Sequence, residues 1–167
     1  VKPTENGDYE ALRQQDGLFH VVLNGIRNGK LRTEKRLISC VQKIVHPYRE
    51  WDEFLKTAED PNIRFIISNT TEAGIRFNPN DQIETNPPGT FPAKLLLWLL
   101  RRFEFFEGDA SKTCIILPLE LIIQNGQQLQ KCLLQYAELW KFGAPFKNWL
   151  NQQTYCNSLV DRIVSGL

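Results

Sequence analysis

The stretch RFIISNTTEAGI, residues 64–75, decides how this chain is read. An unbroken apolar run, Phe65-Ile66-Ile67, passes at once into Ser68-Asn69-Thr70-Thr71-Glu72-Ala73-Gly74. The run is too short for a helix and does not alternate. Residues 63–69 are therefore predicted to form a strand covered on both faces, as in a parallel sheet. The small polar residues that follow then form the loop at the strand's carboxyl end, the place where open parallel sheets bind ligands. Two readings of Ser68-Asn69-Thr70-Thr71 stand side by side. The segment either caps a helix and closes a turn, or lets a flat ligand lie on its backbone while hydroxyls and amides supply hydrogen bonds. Glu72 is a single loop carboxylate, and such groups are usually solvated.

Working outward, TCIILPLE, residues 113–120, is a second strand of the same kind, expected to lie parallel beside the first. Between them Thr90 is placed to cap a helix with Pro92 in its first turn. That helix, over 91–106, carries Leu95, Leu96, Leu99, Leu100, Phe103 and Phe106 on one face, with Arg101, Arg102 and Glu104 predicted to face water. After QNG, a turn signal at 124–126, the series Leu129, Cys132, Leu133, Tyr136, Ala137 and Trp140 predicts a second amphipathic helix. A shorter helix is predicted over 145–151, and another from Trp51 to the break at Pro61. Asn28-Gly29 is a strong two-residue turn signal. It predicts an antiparallel hairpin over 18–41, with strands at 18–23 and 37–41. Strand alternating with helix gives an α/β fold with a mostly parallel sheet, helices on both faces and the hairpin as an antiparallel addition.

The bulk numbers fit one globular domain. The 167 residues are 42% hydrophobic and 23% charged, with a formal net charge of +1. That balance asks for neither nucleic acid nor an anionic membrane. The longest apolar run is far below the ~18 residues of a spanning helix. Four well-separated Cys and two His make a zinc site improbable. Cys114 and Cys132 read as reduced core thiols, which predicts a cytosolic protein. A first residue of Val and the absence of Met predict an internal piece of a longer chain.

Candidate polar residues beyond the first loop are few. ELIIQNG offers Glu120 and Asn125. In LVDRIV, residues 159–164, Asp161-Arg162 is embedded in an apolar run; the pair is either a structural ion pair at an element's end or lines a cleft. There is no GxGxxG, no phosphate loop, and no Ser-His-Asp set.

Four segments in order, QQDGLF, RFIISNTTEAGI, LELIIQNG and NSLVDRIVSG, together resemble the polyol-specific long-chain dehydrogenases, the mannitol dehydrogenase family. VDRI is the core of that family's signature. FPAKL at 91–95 belongs to the same pattern, so the resemblance covers essentially the whole chain. It implies a Rossmann-type amino-terminal domain lacking its first glycine-rich βα unit, which would precede Val1. A largely helical carboxyl-terminal catalytic domain would follow Leu167, with the general acid/base Lys and its Asn and His partners, so no catalytic residue is expected within the chain. The resemblance further implies an NAD-dependent oxidoreductase acting on a keto sugar acid, with no metal. Lys2-Pro3 falls where a family acid often meets the adenosine ribose, which leaves NADP open beside NAD. Ser68, Asn69, Thr70, Thr71 and Glu72 are implied to pass beside the nicotinamide half. Asn125, Asp161 and Arg162 are implied to lie near the substrate cleft. One departure stands out: Leu121 occupies the point at which mannitol dehydrogenases carry a carbonyl-polarising Asn. The rival readings are another reductase of the same family, acting on mannitol or fructuronate, and a non-catalytic α/β binding module.

Overall fold

The computed structural model describes residue 5 and residues 9–71 and 73–159. The chain divides into two compact units, Val1–Glu50 and Trp51–Leu167.

In the first unit a short helix α1 (Glu10–Gln14) leads into strands β1 (Phe19–Arg27) and β2 (Lys30–Ile38). The strands pair antiparallel from Arg27↔Lys30 out to Phe19↔Ile38. Asn28 and Gly29 alone make the turn, both with positive φ (53° and 72°). That conformation matches the twist of the flanking strands and is cheap only for such residues. The hairpin is thus where the Asn-Gly signal puts it, but its return strand differs from the one predicted. Pairing starts at Lys30 rather than at residue 37. A two-residue turn obliges the very next residues to pair, however polar they are, and residues 30–36 are too charged to be read as a strand by hydrophobicity. Arg13 ties the unit's ends together, donating to Ile44 O (3.0 Å) and to Glu50 (2.5 Å).

The second unit runs α2 (Trp51–Lys56), β3 (Phe65–Ser68), α3 (Phe91–Phe105), β4 (Ile115–Pro118), α4 (Asn125–Leu139), α5 (Ala144–Asn151) and β5 (Thr154–Tyr155). The sheet order is β3-β4-β5, and both pairings are parallel, with Phe65↔Ile115, Ser68↔Pro118 and Ile115↔Thr154 in register. The predicted parallel pair is therefore present. β5 was not expected, because two residues carry no readable period. Thr90 caps α3 by accepting from Ala93 N, with Pro92 in the first turn. The core is Leu96, Leu99, Ile116, Leu129, Leu133, Tyr136, Trp149 and Leu150, all essentially fully buried. No helix among the described residues is long and apolar enough to cross a membrane.

Two expectations need correction. β3 is covered on one side only: Ile66 and Ser68 turn inward, whereas Phe65 and Ile67 are 58% and 65% exposed. β3 is an edge strand of this sheet, paired on one side by β4. Arg102 does not face water; it is 1% exposed. Its Nε donates to Lys112 O (2.6 Å), Nη1 to Ala58 O (2.8 Å) and Asp60 O (2.9 Å), and Nη2 to Ile63 O (2.9 Å). Trp98 and Phe106 lie against the guanidinium at 5.6 and 5.0 Å from their ring centroids. A charge can be buried when hydrogen bonds satisfy it, and here four carbonyls do so.

Arg102→Met should destabilise the full-length protein by about 3 kcal/mol or more, since each buried carbonyl left without a donor costs ~1–3 kcal/mol. Arg102→Lys should recover only part, because one ammonium lacks the fork that reaches four oxygens. Urea unfolding checks this; a loss below about 1 kcal/mol for Arg102→Met would show that solvent or neighbouring groups take over the carbonyls.

Candidate functional site at the carboxyl edge

Because β3, β4 and β5 are parallel, the loops that leave them emerge at one edge. Hydrogen bonds join all three. Glu120, two residues beyond β4, is 2% exposed. Its Oε2 accepts from Ser68 Oγ (3.0 Å), and its Oε1 accepts from both Thr70 N (3.1 Å) and Thr70 Oγ1 (2.9 Å). No salt bridge reaches it among the described residues, so three donors from the end of β3 and the loop after it carry the buried carboxylate. The turn of that loop closes with Gly74 N donating to Thr71 O (2.8 Å). Gly74 is required there, because a Cβ would collide with the Thr70 hydroxyl.

Asn125, the first residue of α4, joins the other loops. It is fully buried. Its Nδ2 reaches Pro118 O and Ser158 Oγ (both 2.9 Å) and Glu120 O (3.1 Å), while its Oδ1 accepts from Ser158 N (3.0 Å). Ser158 Oγ in turn donates to Pro118 O. Asn157 Oδ1 accepts from Gly126 N (3.1 Å) and Gln127 N (3.2 Å). The positive end of α4 is thereby filled by the protein's own side chain and is not open to a phosphate. Asn125-Gly126 is the start of a helix, not the plain turn its composition indicates.

A third cluster holds the long connection between β3 and α3 against α4. Tyr136 OH donates to Asp81 Oδ2 (2.6 Å), and Thr90 Oγ1 donates to the same oxygen (2.8 Å). Asn78 N donates to Tyr136 OH (2.9 Å), and Trp140 Nε1 to Asp81 O (3.3 Å). Burial first, then the Asp81 hydrogen bond, push the Tyr136 phenol from the ordinary value of 10.0 up to about 12.

The predicted site residues separate into inner and outer groups. Ser68 and Thr70 turn inward onto Glu120, whereas Asn69, Thr71 and Ala73 are exposed. Asn125 lies at the edge, but its amide is consumed in bracing the loops. Glu72, Asp161 and Arg162 lie outside the described residues, as does Lys2. Leu121 and Ile123 are 50% and 89% exposed on the β4 loop. The outward side chains here are therefore an amide, a hydroxyl and aliphatic groups. Sequence reasoning quoted Glu120 without giving it a role. The available signal was an acid placed directly after a buried strand, where a carboxylate must find donors.

Residues 4–167 match the mannitol dehydrogenase Rossmann domain, and the chain belongs to that family. Its relatives include altronate oxidoreductases from Yersinia enterocolitica (46% identical), Bacteroides thetaiotaomicron (43%) and Bacillus subtilis (40%), each aligned over 99% of this chain. The chain spans 35% of the length of each. A solved structure, Pseudomonas fluorescens mannitol 2-dehydrogenase in ternary complex with NAD and D-mannitol, has the same fold, with a TM-score of 0.71 at 22% identity. That match covers 92% of this chain and 32% of the other.

The raised phenol value sets a pH test. The folded state holds the Tyr136 proton more tightly than the unfolded state, so the associated stability is complete below about pH 10 and is lost as pH rises towards about 12. Melting temperature should therefore fall more steeply between pH 9.5 and 11.5 in the parent protein than in Tyr136→Phe, with Tyr136→Phe the less stable at pH 7. Parallel alkaline slopes for the two proteins would contradict this.

Proposed function

We propose that this chain is the dinucleotide-binding part of an NAD-dependent sugar-acid oxidoreductase that interconverts altronate and its keto form, tagaturonate. The carrying observation is the alignment of 99% of the chain with altronate oxidoreductases of three organisms at 40–46% identity. The parallel sheet supports it, since its carboxyl edge is the usual nucleotide side of such folds. NAD is favoured by the nicotinamide dinucleotide held in the mannitol 2-dehydrogenase neighbour.

The dinucleotide supplies the hydride chemistry; this chain binds and orients it. Asn69 and Thr71 offer hydrogen bonds to the nicotinamide carboxamide, and Leu121 and Ile123 exclude water from the ring. Ser68 and Thr70 hold the loop from within. Glu72, Asp161 and Arg162 remain candidates for the cofactor and substrate sides on the strength of the family resemblance. The proton-transferring Lys is assigned by the same resemblance to a carboxyl-terminal domain of the same polypeptide, the partner against which this edge works. The substrate is a small sugar acid; neither nucleic acid nor membrane has a role. Buried Cys114 and Cys132, both free thiols, accord with a cytosolic setting.

The full-length protein should oxidise NADH with tagaturonate and discriminate against fructuronate and fructose. Faster turnover of either competitor would move it to another branch of the family, and absence of NADH oxidation with all three would sink the reading. Thr71→Ala and Asn69→Ala should each weaken NADH binding by up to about tenfold, the worth of one net hydrogen bond. Fluorescence titration decides; unchanged affinity in both would reduce the loop to a turn.

A further inference from the structure

Glu120 is the one carboxylate at the carboxyl edge that is buried and reached by no cation among the described residues. Its bonding is one-sided. All three donors, Ser68 Oγ at the end of β3 and Thr70 N and Oγ1 in the loop that leaves it, lie fifty and more residues away in sequence. Its own backbone carbonyl is fixed from the other side by Asn125 Nδ2 at 3.1 Å. The carboxylate is therefore held by the β4 loop and acts on the β3 loop. A group that only satisfied a buried donor would need one such bond. Here a backbone N–H and its own side-chain hydroxyl are gathered on a single oxygen, which fixes both the φ/ψ and the rotamer of Thr70.

We propose that Glu120 is a positioning residue for the nucleotide site: it fixes Thr70 inward so that the flanking Asn69 and Thr71 are the groups presented to the nicotinamide half. The inference rests on the proposed function, and it assigns the Thr70 hydroxyl to the protein rather than to the ligand. Preorganisation of this kind raises affinity by removing the cost of ordering the loop when ligand arrives.

Glu120→Gln retains one oxygen for both Thr70 donors and gains an NH₂ that can donate to Ser68 Oγ. Glu120→Met has similar length and no acceptor. In the full-length protein, NADH affinity read by fluorescence should weaken by about tenfold or more in Glu120→Met, the equivalent of at least one lost hydrogen bond. Glu120→Gln should restore most of it. Thr70→Val should weaken binding by a few-fold, and the Thr70→Val, Glu120→Met double variant should bind no worse than Glu120→Met alone, because both act through one linkage. A lowered melting temperature with unchanged NADH affinity in Glu120→Met would overturn the inference, as would additive effects in the double variant. Should Glu120→Met fail to fold, parent-like affinity in Thr70→Val overturns it equally. Failure of the parent protein itself to bind NADH overturns the functional reading and this inference together; a parent that binds NADH beside an unaffected Glu120→Met overturns this inference alone.

Discussion

The guanidinium of Arg102 sets where the parallel sheet begins. Its carbonyl partners at Ala58, Asp60 and Ile63 belong to the segment entering β3, and its partner at Lys112 belongs to the segment entering β4. Carbonyls in such segments have no ladder to join and cannot be left dry. One side chain answers all four. It sits on α3, the helix that connects these two strands. The element that makes the strands parallel therefore also sets the level from which they start, and the register Phe65↔Ile115 follows.

At the other end of the strands the chemistry is reversed. Donors from one loop converge on the Glu120 carboxylate, and the amide of Asn125 links the remaining two loops. The reversal has an electrostatic logic. Arg102 lies in the last turn of α3, where the helix dipole is negative and a cation is favoured. Glu120 precedes the first residue of α4, Asn125, by five residues, on the side of that helix's positive end. In a strand-helix-strand unit these two helix ends fall at opposite edges of the sheet, so one edge collects a buried cation and the other a buried anion. The cation edge is closed by its own hydrogen bonds. The anion edge uses its bonds to hold loops that still present side chains outward.

How much of this the sequence discloses depends on the range of the interaction. Contacts within one element were legible: the Asn28-Gly29 turn, the Thr90 cap, the helical series through Tyr136, and the parallel character of residues 65–68 and 115–118. Contacts made across the fold were not. Arg102 reads as a solvated residue beside Arg101, because nothing local signals four carbonyls from two other segments. Return-strand residues 30–36 read as loop because a turn, not hydrophobicity, enforced their pairing. Asn125-Gly126 reads as a turn because its partners, Asn157 and Ser158, come some thirty residues later. The SNTTEAG loop was identified as the place of interest, but the division of its residues into inward and outward groups depends on Glu120, which is remote in sequence.

That division also determines what the edge presents outward. In the described parts of the loops after β3, β4 and β5, through residue 75 in the first, the only ionisable carboxylate is Glu120, and it is buried and fully bonded. The exposed side chains are amide, hydroxyl and aliphatic: Asn69, Thr71, Ala73, Leu121, Ile123, Gln124, Asn157 and Leu159. The first N–H groups of α4, which would otherwise attract an anion, are taken by Asn157. Among the described residues the outward side chains of these loops are uncharged through residue 75, and the exposed Arg76 follows at once. The described edge therefore uses its buried polar side chains, Glu120 and Asn125, together with Asn157, to hold its own loops, and what it presents outward is set by that frame.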